Sequence, residues 1–587
     1  MKRAICLLFL SVIMLLPVKL PAQEDVLEDS ILQEVEEVWS TDVKKTFNIL
    51  LKIGKVIIIT PKTANPEPLA AAPDKDYGFI PFNRSYLART YYNYRPTEAE
   101  RKFEGLKAFA SPGEFEPITF CLYPLESSKL SISVSDLTGK VGTIPSQSIE
   151  IGAARHLLHA YAQQLYEVRP ELIKKGGETD LKKGVNRTIW LTLKVPEKAA
   201  AGIYIGEITL KGGKNAFKTK LTIEVLPVKL LSNPNFSVGW YGMPKDDVYM
   251  KDAIDHGCNA VDTGLEPKME YTEGKIKLDF TGPAKRVAQL KELGLEGYTH
   301  QFLTLGYAND LINTYGIPEF SSEFNKLYKE INAQMVKWYK DNKIKVAFWL
   351  VDEPREDVLE SWNRHLKETL QYVKLAKEVP GLIALVDPMG DENMGVDYTG
   401  FCDVLDVLAT HSYDGSKKML AKCKAGANAE LWLYNSGRTR MSFGFNPWKW
   451  HAKGRWEWAY AWGWTEKVSL SFKSWSTYGG GDPACGIIYP SAEGPQKTPS
   501  FEMCREGVDD YKYLYTLEQK IAEAGKSGKP EAVAAAKKAQ AMLDLMDKQT
   551  PDYPVRTGAE VDNSEKVLDE WRYQVAQEII RIDRLIK

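Results

Sequence analysis

The run Val346-Ala347-Phe348-Trp349-Leu350-Val351-Asp352-Glu353-Pro354 ends six apolar residues with two adjacent carboxylates and a proline. An unbroken apolar run of this length reads as a strand buried on both faces, and two acids at its end are costly unless they have a partner or a task. Successive strand residues point to opposite faces, but Pro354 breaks the strand where the acids stand, so both side chains can open into one cavity. The alternative is that Asp352 or Glu353 caps a helix beginning near Glu356. Two acids in different environments suit glycosidic bond cleavage, which needs a proton donor for the leaving oxygen and a group that stabilises the cationic sugar. Adjacent acids suit the variant in which the substrate's own 2-acetamido group attacks: one acid protonates, and its neighbour orients that group.

Similar polar or aromatic groups end the other apolar runs. They are Trp240 and Tyr241, Asp262, His300, Asp387, His411 with Tyr413, Tyr434 with Asn435, and Trp475. In a barrel of parallel strands the active site lies at the C-terminal strand ends, so together these residues describe an acidic and aromatic pocket. Singly, each is open to a structural reading as a cap, turn or core group, and for His300 and Asp262 that reading stands ahead. Trp349 is open to a purely core role. The cluster Trp448, Trp450, Trp456, Trp458, Trp462 and Trp464 mixes spacings, which favours packing between helices and barrel, with Trp448 or Trp450 as the candidates for sugar stacking.

The elements that would position these groups follow from periodicity. From Phe79 to Leu226 short runs alternate at period two, as in Leu130, Ile132 and Val134, or Ile189, Leu191, Leu193 and Val195, or Leu221, Ile223 and Val225. Strands that bury one face need a second sheet, so 79–228 is expected to be an antiparallel β-sandwich, with 153–174 as a helical or irregular excursion. From 229 to 500 apolar runs alternate with amphipathic stretches, the pattern of a (β/α)₈ TIM barrel. The expected strands are 236–242, 259–263, 297–302, 345–351, 382–387, 407–413, 431–435 and 468–475, with 485–489 as a substitute for the last. Clear helices are expected at 320–342 and 357–378. The chain from 501 to 587 reads as helices over 501–524, 530–548 and 564–587, with the alanine-rich stretch 532–541 on the surface.

A chain of 587 residues exceeds a single core, which agrees with this division. A net charge of -2 offers no field for nucleic acid or anionic lipid. Residues 1–23 carry Lys2 and Arg3, an apolar run from Ala4 to Leu16 and a proline-broken end, the layout of a secretory signal peptide. The run is short of the roughly 20 residues that span a bilayer, so an exported, periplasmic or secreted protein with no transmembrane anchor is expected, and 24–78 is a lead segment. Cys121, Cys258, Cys402, Cys423, Cys485 and Cys504 are scattered without a C-x-x-C pair, which favours buried thiols over a zinc site or disulfide framework, while an oxidising compartment would permit one or two bridges. No G-x-S-x-G, H-E-x-x-H or phosphate loop occurs, and Gly479-Gly480-Gly481 reads as a turn; no cofactor or metal is called for.

Four stretches give a resemblance to a known family. Leu350 to Pro354, Gly113-Glu114-Phe115-Glu116-Pro117, Trp190 to Gly206 with Val195-Pro196 and Gly202-Ile203-Tyr204, and Arg505-Glu506-Gly507-Val508-Asp509-Asp510-Tyr511 resemble glycoside hydrolase family 123 and its uncharacterised relatives, over roughly 79–515. The resemblance implies a retaining β-N-acetylgalactosaminidase type of enzyme acting on a glycan or oligosaccharide by substrate-assisted catalysis. It implies Glu353 as general acid and base and Asp352 as the group that holds the acetamido nitrogen. Tyr413, Tyr434 or His411 would bind the acetamido carbonyl or hydroxyls, and Trp240, Trp349 or Trp475 would floor the site. Arg505 either reaches the barrel mouth or makes helix-surface ion pairs. A glycosidase of another sugar specificity and mechanism and a non-catalytic glycan-binding protein are the competing readings.

Overall fold

The computed structural model of the chain describes residues 57–59, 65–162, 165–355, 363–388, 396–460, 486–491, 494–553 and 567–587. The signal peptide, most of the lead segment, and the expected strand 468–475 with Trp475 lie outside the described residues.

The first unit is two sheets facing one apolar core. One sheet runs Ile57–Ile59, Leu165–Lys175, Ile149–Ala162, Arg187–Lys194, Phe115–Pro124, Phe79–Phe82; the other is built around Glu178–Leu181, Ser128–Val134, Gly202–Lys211, Ala216–Val225 and Leu106–Ala110. Phe120, Ile189, Leu191 and Leu193 from the first sheet meet Leu130, Ile208, Leu210 and Ile223 from the second. The sandwich is therefore as expected from the period-two runs, with two corrections. Residues 153–174 are not an excursion but most of a long hairpin, Ile149–Ala162 with Leu165–Lys175. Pairing is not wholly antiparallel: Ala216–Val225 with Leu106–Ala110, and Ile57–Ile59 with Leu165–Lys175, are parallel. Strand Arg187–Lys194 is also buried on both faces, because Trp190 packs on Tyr86 and Thr192 bonds Glu502 of a C-terminal helix.

The second unit is a curled sheet of seven parallel strands: β1 (Ser237–Trp240), β2 (Thr299–Leu303), β3 (Lys345–Asp352), β4 (Ile383–Asp387), β5 (Val407–His411), β6 (Glu430–Tyr434) and β7 (Gly454–Glu457). Their order is β1-β7-β6-β5-β4-β3-β2. The gap between β1 and β2 is spanned by 259–263, expected to be the second strand. Asn259 N and Ala260 N donate to Val238 O, and Gln301 N donates to Val261 O, so the segment does join its neighbours. It is not a regular strand because side chains take over backbone roles: Asn259 Oδ1 accepts from Val238 N, and His300 Nδ1 accepts from Val261 N. Among the described residues the barrel thus has seven strands and one irregular segment, not eight strands. The strand closing onto β1 is Gly454–Glu457, in the tryptophan-rich segment read as packing. Of the substitute at 485–489, the described residues 486–489 form no barrel strand, and Tyr489–Ser491 pairs with Gly494–Gln496.

The barrel interior is filled by two stacked indoles, Trp432 and Trp456, with centroids 5.8 Å apart. Glycines opposite them make room: a Cβ on Gly239 would stand 2.5 Å from the Trp456 ring, and one on Gly454 2.5 Å from Trp432. Helix Ser322–Asp341, capped by Ser321 Oγ on Phe324 N, and helix Leu366–Lys377 pack outside β3.

Three helices close the chain: α1 (Pro499–Lys526), α2 (Pro530–Gln549) and α3 (Leu568–Ile586). The alanine stretch of α2 is not a surface feature: Ala532, Ala535, Ala536 and Ala539 are buried at helical spacing. Among the described residues no helix is long and apolar enough to cross a membrane. Cys121, Cys258, Cys402 and Cys504 are buried thiols, and Cys402 Sγ lies 3.6 Å from Cys423 Sγ.

Candidate active site

Parity along β3 sets up the site. Phe348 and Leu350 face outward into the core shared with Phe302 and Tyr339, while Ala347 and Trp349 face the barrel interior. Against β4, Trp349 is opposite Leu385 and Asp352 opposite Asp387, so three steps on β3 match two on β4. Such a bulge re-aims the side chains that follow it. Glu353 then takes a left-handed conformation, φ 42°, and the peptides around it are tied by Asn363 Nδ2 on Asp352 O (3.0 Å) and Tyr398 OH on Pro354 O (3.1 Å). Both acids come out half-buried at the rim, the Glu353 side chain 26% exposed. The first helix described after them begins at Leu366, with its own cap at His365.

Asp387 lies behind the pair, fully buried. Its Oδ1 accepts from Trp349 Nε1 at 2.7 Å and from Glu353 N at 3.1 Å. Burial pushes Asp352 up to about 7, with the charge of Glu353 adding and a hydrogen bond from Asp387 opposing. Glu353 is raised by burial and drawn back by Arg355, whose guanidinium is 3.9 Å away. Asp387 is held far above the carboxylate range by burial and then by Asp352.

Around the acids stand Tyr241, packed on Trp349 and Tyr434 at 4.9 Å each, and His411, 5.1 Å from Tyr434 and 6.1 Å from Tyr413. Asp262 accepts from Gly242 N and Met243 N, fixing the turn that carries Tyr241, and burial lifts it to about 7. Asn435, φ 44°, accepts from Trp458 N at 2.9 Å and so positions that ring beside Tyr241. Asp262 and Asn435 shape the rim through the backbone.

Other expected site residues lie elsewhere. Trp240 points out of the barrel, stacked on Phe443 and edge-on to Phe501. His300 is a wall group: its Nε2 faces Leu295 O, its Nδ1 takes Val261 N, and burial lowers it to about 4, so it is neutral. Arg505 is buried against the sandwich in an ion pair with Glu502, its guanidinium over Phe115. Trp448 and Trp450 are buried, donating to Glu518 and Asp552 O, and are not loop platforms. Residues absent from the expected set are Gln301, an inward position on β2, with Trp456 and Trp458, inward positions on and after β7; the period-two rule applied to those strands marks them.

Two of the motifs that carry the family resemblance meet at the junction of sandwich, barrel and C-terminal helices. Arg572 bonds Asp510 (2.6 Å) and Glu506 (2.7 Å) and lies 3.9 Å from Glu114 and 3.6 Å from Glu116. Arg440 holds Asp510 through two hydrogen bonds, and Tyr513 OH donates to Glu114. Gly507 allows α1 to approach Arg440 O and Phe443, where a Cβ would clash.

Comparison with known proteins agrees with this layout. The glycoside hydrolase 123 N-terminal domain matches residues 123–212, most of the sandwich. A family 123 glycoside hydrolase from Clostridium perfringens, studied for glycolipid glycan hydrolysis, superposes with a TM-score of 0.62 at 14% identity, covering 86% of this chain and 99% of that one. A GH10 xylanase with a bacterial Ig-like domain from termite gut (TM-score 0.31, 11% identity, 55% and 90% covered) and an endo-β-1,4-mannanase from Thermotoga petrophila (0.30, 14%, 47% and 76%) are also matched. A search of curated proteins finds no match. Sandwich and curled parallel sheet thus define a two-unit architecture shared with that family 123 structure. Within it, the sandwich carries the match to the glycoside hydrolase 123 N-terminal domain, and the chain as a whole is similar in fold to a family 123 glycoside hydrolase.

Proposed function

We propose that the protein is an exported, retaining glycoside hydrolase that removes β-linked N-acetylhexosamine, N-acetylgalactosamine above all, by substrate-assisted catalysis. The observation that carries this reading is the adjacent pair Asp352 and Glu353, half-buried beside an aromatic barrel mouth with a third carboxyl behind them. The family 123 likeness supports the same class.

In the first step Glu353 gives its proton to the glycosidic oxygen as the bond to C1 breaks, and the acetamido carbonyl oxygen bonds C1 from the opposite face. Asp352 accepts the acetamido N–H and stabilises the positive charge of the oxazolinium ion. In the second step Glu353, now ionised, takes a proton from water, whose oxygen bonds C1 as the acetamido oxygen leaves. Two inversions retain the configuration. Burial raises Glu353 and so favours its protonated form, while Arg355 opposes that shift and favours its conjugate base. Tyr241, Tyr434 and Trp458 offer an apolar wall for the sugar face.

A panel of aryl β-glycosides followed by proton NMR tests the reading. Cleavage of the N-acetylgalactosaminide with retention, inhibited by its thiazoline analogue, is expected; cleavage of the unsubstituted galactoside with inversion would overturn it. Export is tested by N-terminal sequencing of the mature protein, with a start near Gln23 expected and retention of Met1 in the cell pellet against it.

A further inference from the structure

A fully buried carboxyl in a barrel needs compensation for every lone pair it brings inside. Asp387 has that compensation on one oxygen only. Its Oδ1 takes two N–H donors, the Trp349 indole and the Glu353 peptide, while Oδ2 is buried and meets no donor among the described residues. The bulge sets Asp352 opposite Asp387 and brings their carboxyls within reach of one another, and with Oδ1 already taken by two N–H donors, Oδ2 is the oxygen left for that contact. Two carboxyls side by side in a low-dielectric interior do not both ionise, and a proton between them satisfies the otherwise orphaned oxygen.

We propose that Asp387 is a positioning residue: it keeps a proton at neutral pH and donates it from Oδ2 to the Asp352 carboxylate, while Oδ1 fixes the Trp349 ring and the Glu353 peptide. One side chain thereby aims both acids and the floor beneath them. The proton belongs to Asp387 rather than Asp352 because Asp387 is the more deeply buried, and Asp352 is the one that opens to the rim. The surrounding groups agree. From β3, Asp352 and Glu353 face it; from the end of β1 comes Tyr241, from β6 Tyr434, with His411 of β5 beside Tyr434, and the phenols stay neutral at these sites. Arg355 lies 3.9 Å from Glu353. This proposal rests on the catalytic reading of Asp352 and Glu353, but the shared proton itself does not need turnover to be seen.

The test uses Asp387→Asn and Asp387→Ala. Asparagine keeps an Oδ1 acceptor and presents an N–H where the proposed proton stands, so it mimics the protonated acid. Aryl N-acetylgalactosaminide turnover by Asp387→Asn should stay within about threefold of the parent, whereas Asp387→Ala should lose about 100-fold or more. The acid limb of kcat/KM should stay in place for Asp387→Asn and move to higher pH for Asp387→Ala, which has lost the donor that holds Asp352 down. A purely structural role would leave that limb unmoved in both. An infrared difference spectrum of parent minus Asp387→Asn at pH 7 should contain the carbonyl stretch of a protonated carboxyl. An acid limb that drops by a unit or more in Asp387→Asn, or a difference spectrum carrying only carboxylate bands, would overturn the proposal. The infrared arm needs no substrate, so it separates failure of this inference from failure of the glycosidase reading.

Discussion

Trp349 Nε1 stands 2.7 Å from Asp387 Oδ1, and the same oxygen accepts the peptide N–H of Glu353. A ring on the barrel floor and the backbone of the expected acid therefore share one anchor. Substituting Trp349→Phe removes the donor and keeps a ring. The expected result in steady-state kinetics is a kcat about tenfold lower with KM little changed. The smaller ring should also cost about 1–3 kcal/mol in urea unfolding. A change confined to stability would separate Trp349 from the acid pair.

Glu353→Gln removes the proton donor without altering its size. Turnover of an N-acetylgalactosaminide with an alkyl or sugar leaving group should fall by roughly 10²–10⁴. A dinitrophenyl leaving group needs no proton, so its bond-breaking step should be largely spared. Equal losses for both leaving groups would remove Glu353 from the acid role.

Turnover in this scheme needs Asp352 ionised and Glu353 protonated, which gives a bell-shaped profile. Ionisation of Asp352 gives the rising limb, and burial moves it upward in pH. The falling limb is the loss of the Glu353 proton, and Arg355 opposes the upward effect of burial there. Arg355→Gln should therefore shift the falling limb to higher pH and leave the rising limb alone. A falling limb that moves down, or stays still, would contradict this electrostatic assignment.

The junction makes a separate prediction about stability. Arg572 is the shared cation for Glu506, Asp510 and the sandwich acids Glu114 and Glu116. Arg572→Ala leaves those acids buried without it, and a loss of about 3–5 kcal/mol in chemical unfolding is expected. Burial raises Glu114 to about 8 and Glu506 to about 7. Carboxyls raised in the folded state bind a proton that the unfolded chain has released, so their contribution is full below their ordinary values and is lost as pH rises through about 7 to 8. Unfolding free energy should decline over that window, and Glu114→Gln should flatten the decline. A rise in stability over the same window would contradict the assignment.

How much of this was open to a reader of the sequence depends on what fixes each residue. Asp352 and Glu353 stood out because a run buried on both faces leaves no cheap place for charge. The same double burial hides parity: Trp240 and Tyr241 are both apolar-compatible and adjacent, and only the curled sheet shows that Tyr241 faces in and Trp240 out. Gly454–Glu457 does not read as a barrel strand because Arg455 and Glu457 look like surface residues, whereas they pair with each other on the buried outer face of the barrel. The irregular segment at Asn259 depends on side chains replacing peptide partners, which alternation does not record. Arg505 was ambiguous between a rim role and a helix pair; its partner Glu502 is only one turn away, and contact with Phe115 of the sandwich is a tertiary fact.

The proposed chemistry requires the substrate's acetamido group to act as the nucleophile that Asp352 orients. Aryl β-galactosaminides whose N-acyl group carries none, one, two or three fluorines measure this most directly, since fluorine drains the carbonyl oxygen without altering the leaving group. A steep, progressive fall in kcat/KM with each fluorine is predicted. A flat series, with the trifluoroacetyl substrate turned over as fast as the acetyl one, would contradict it.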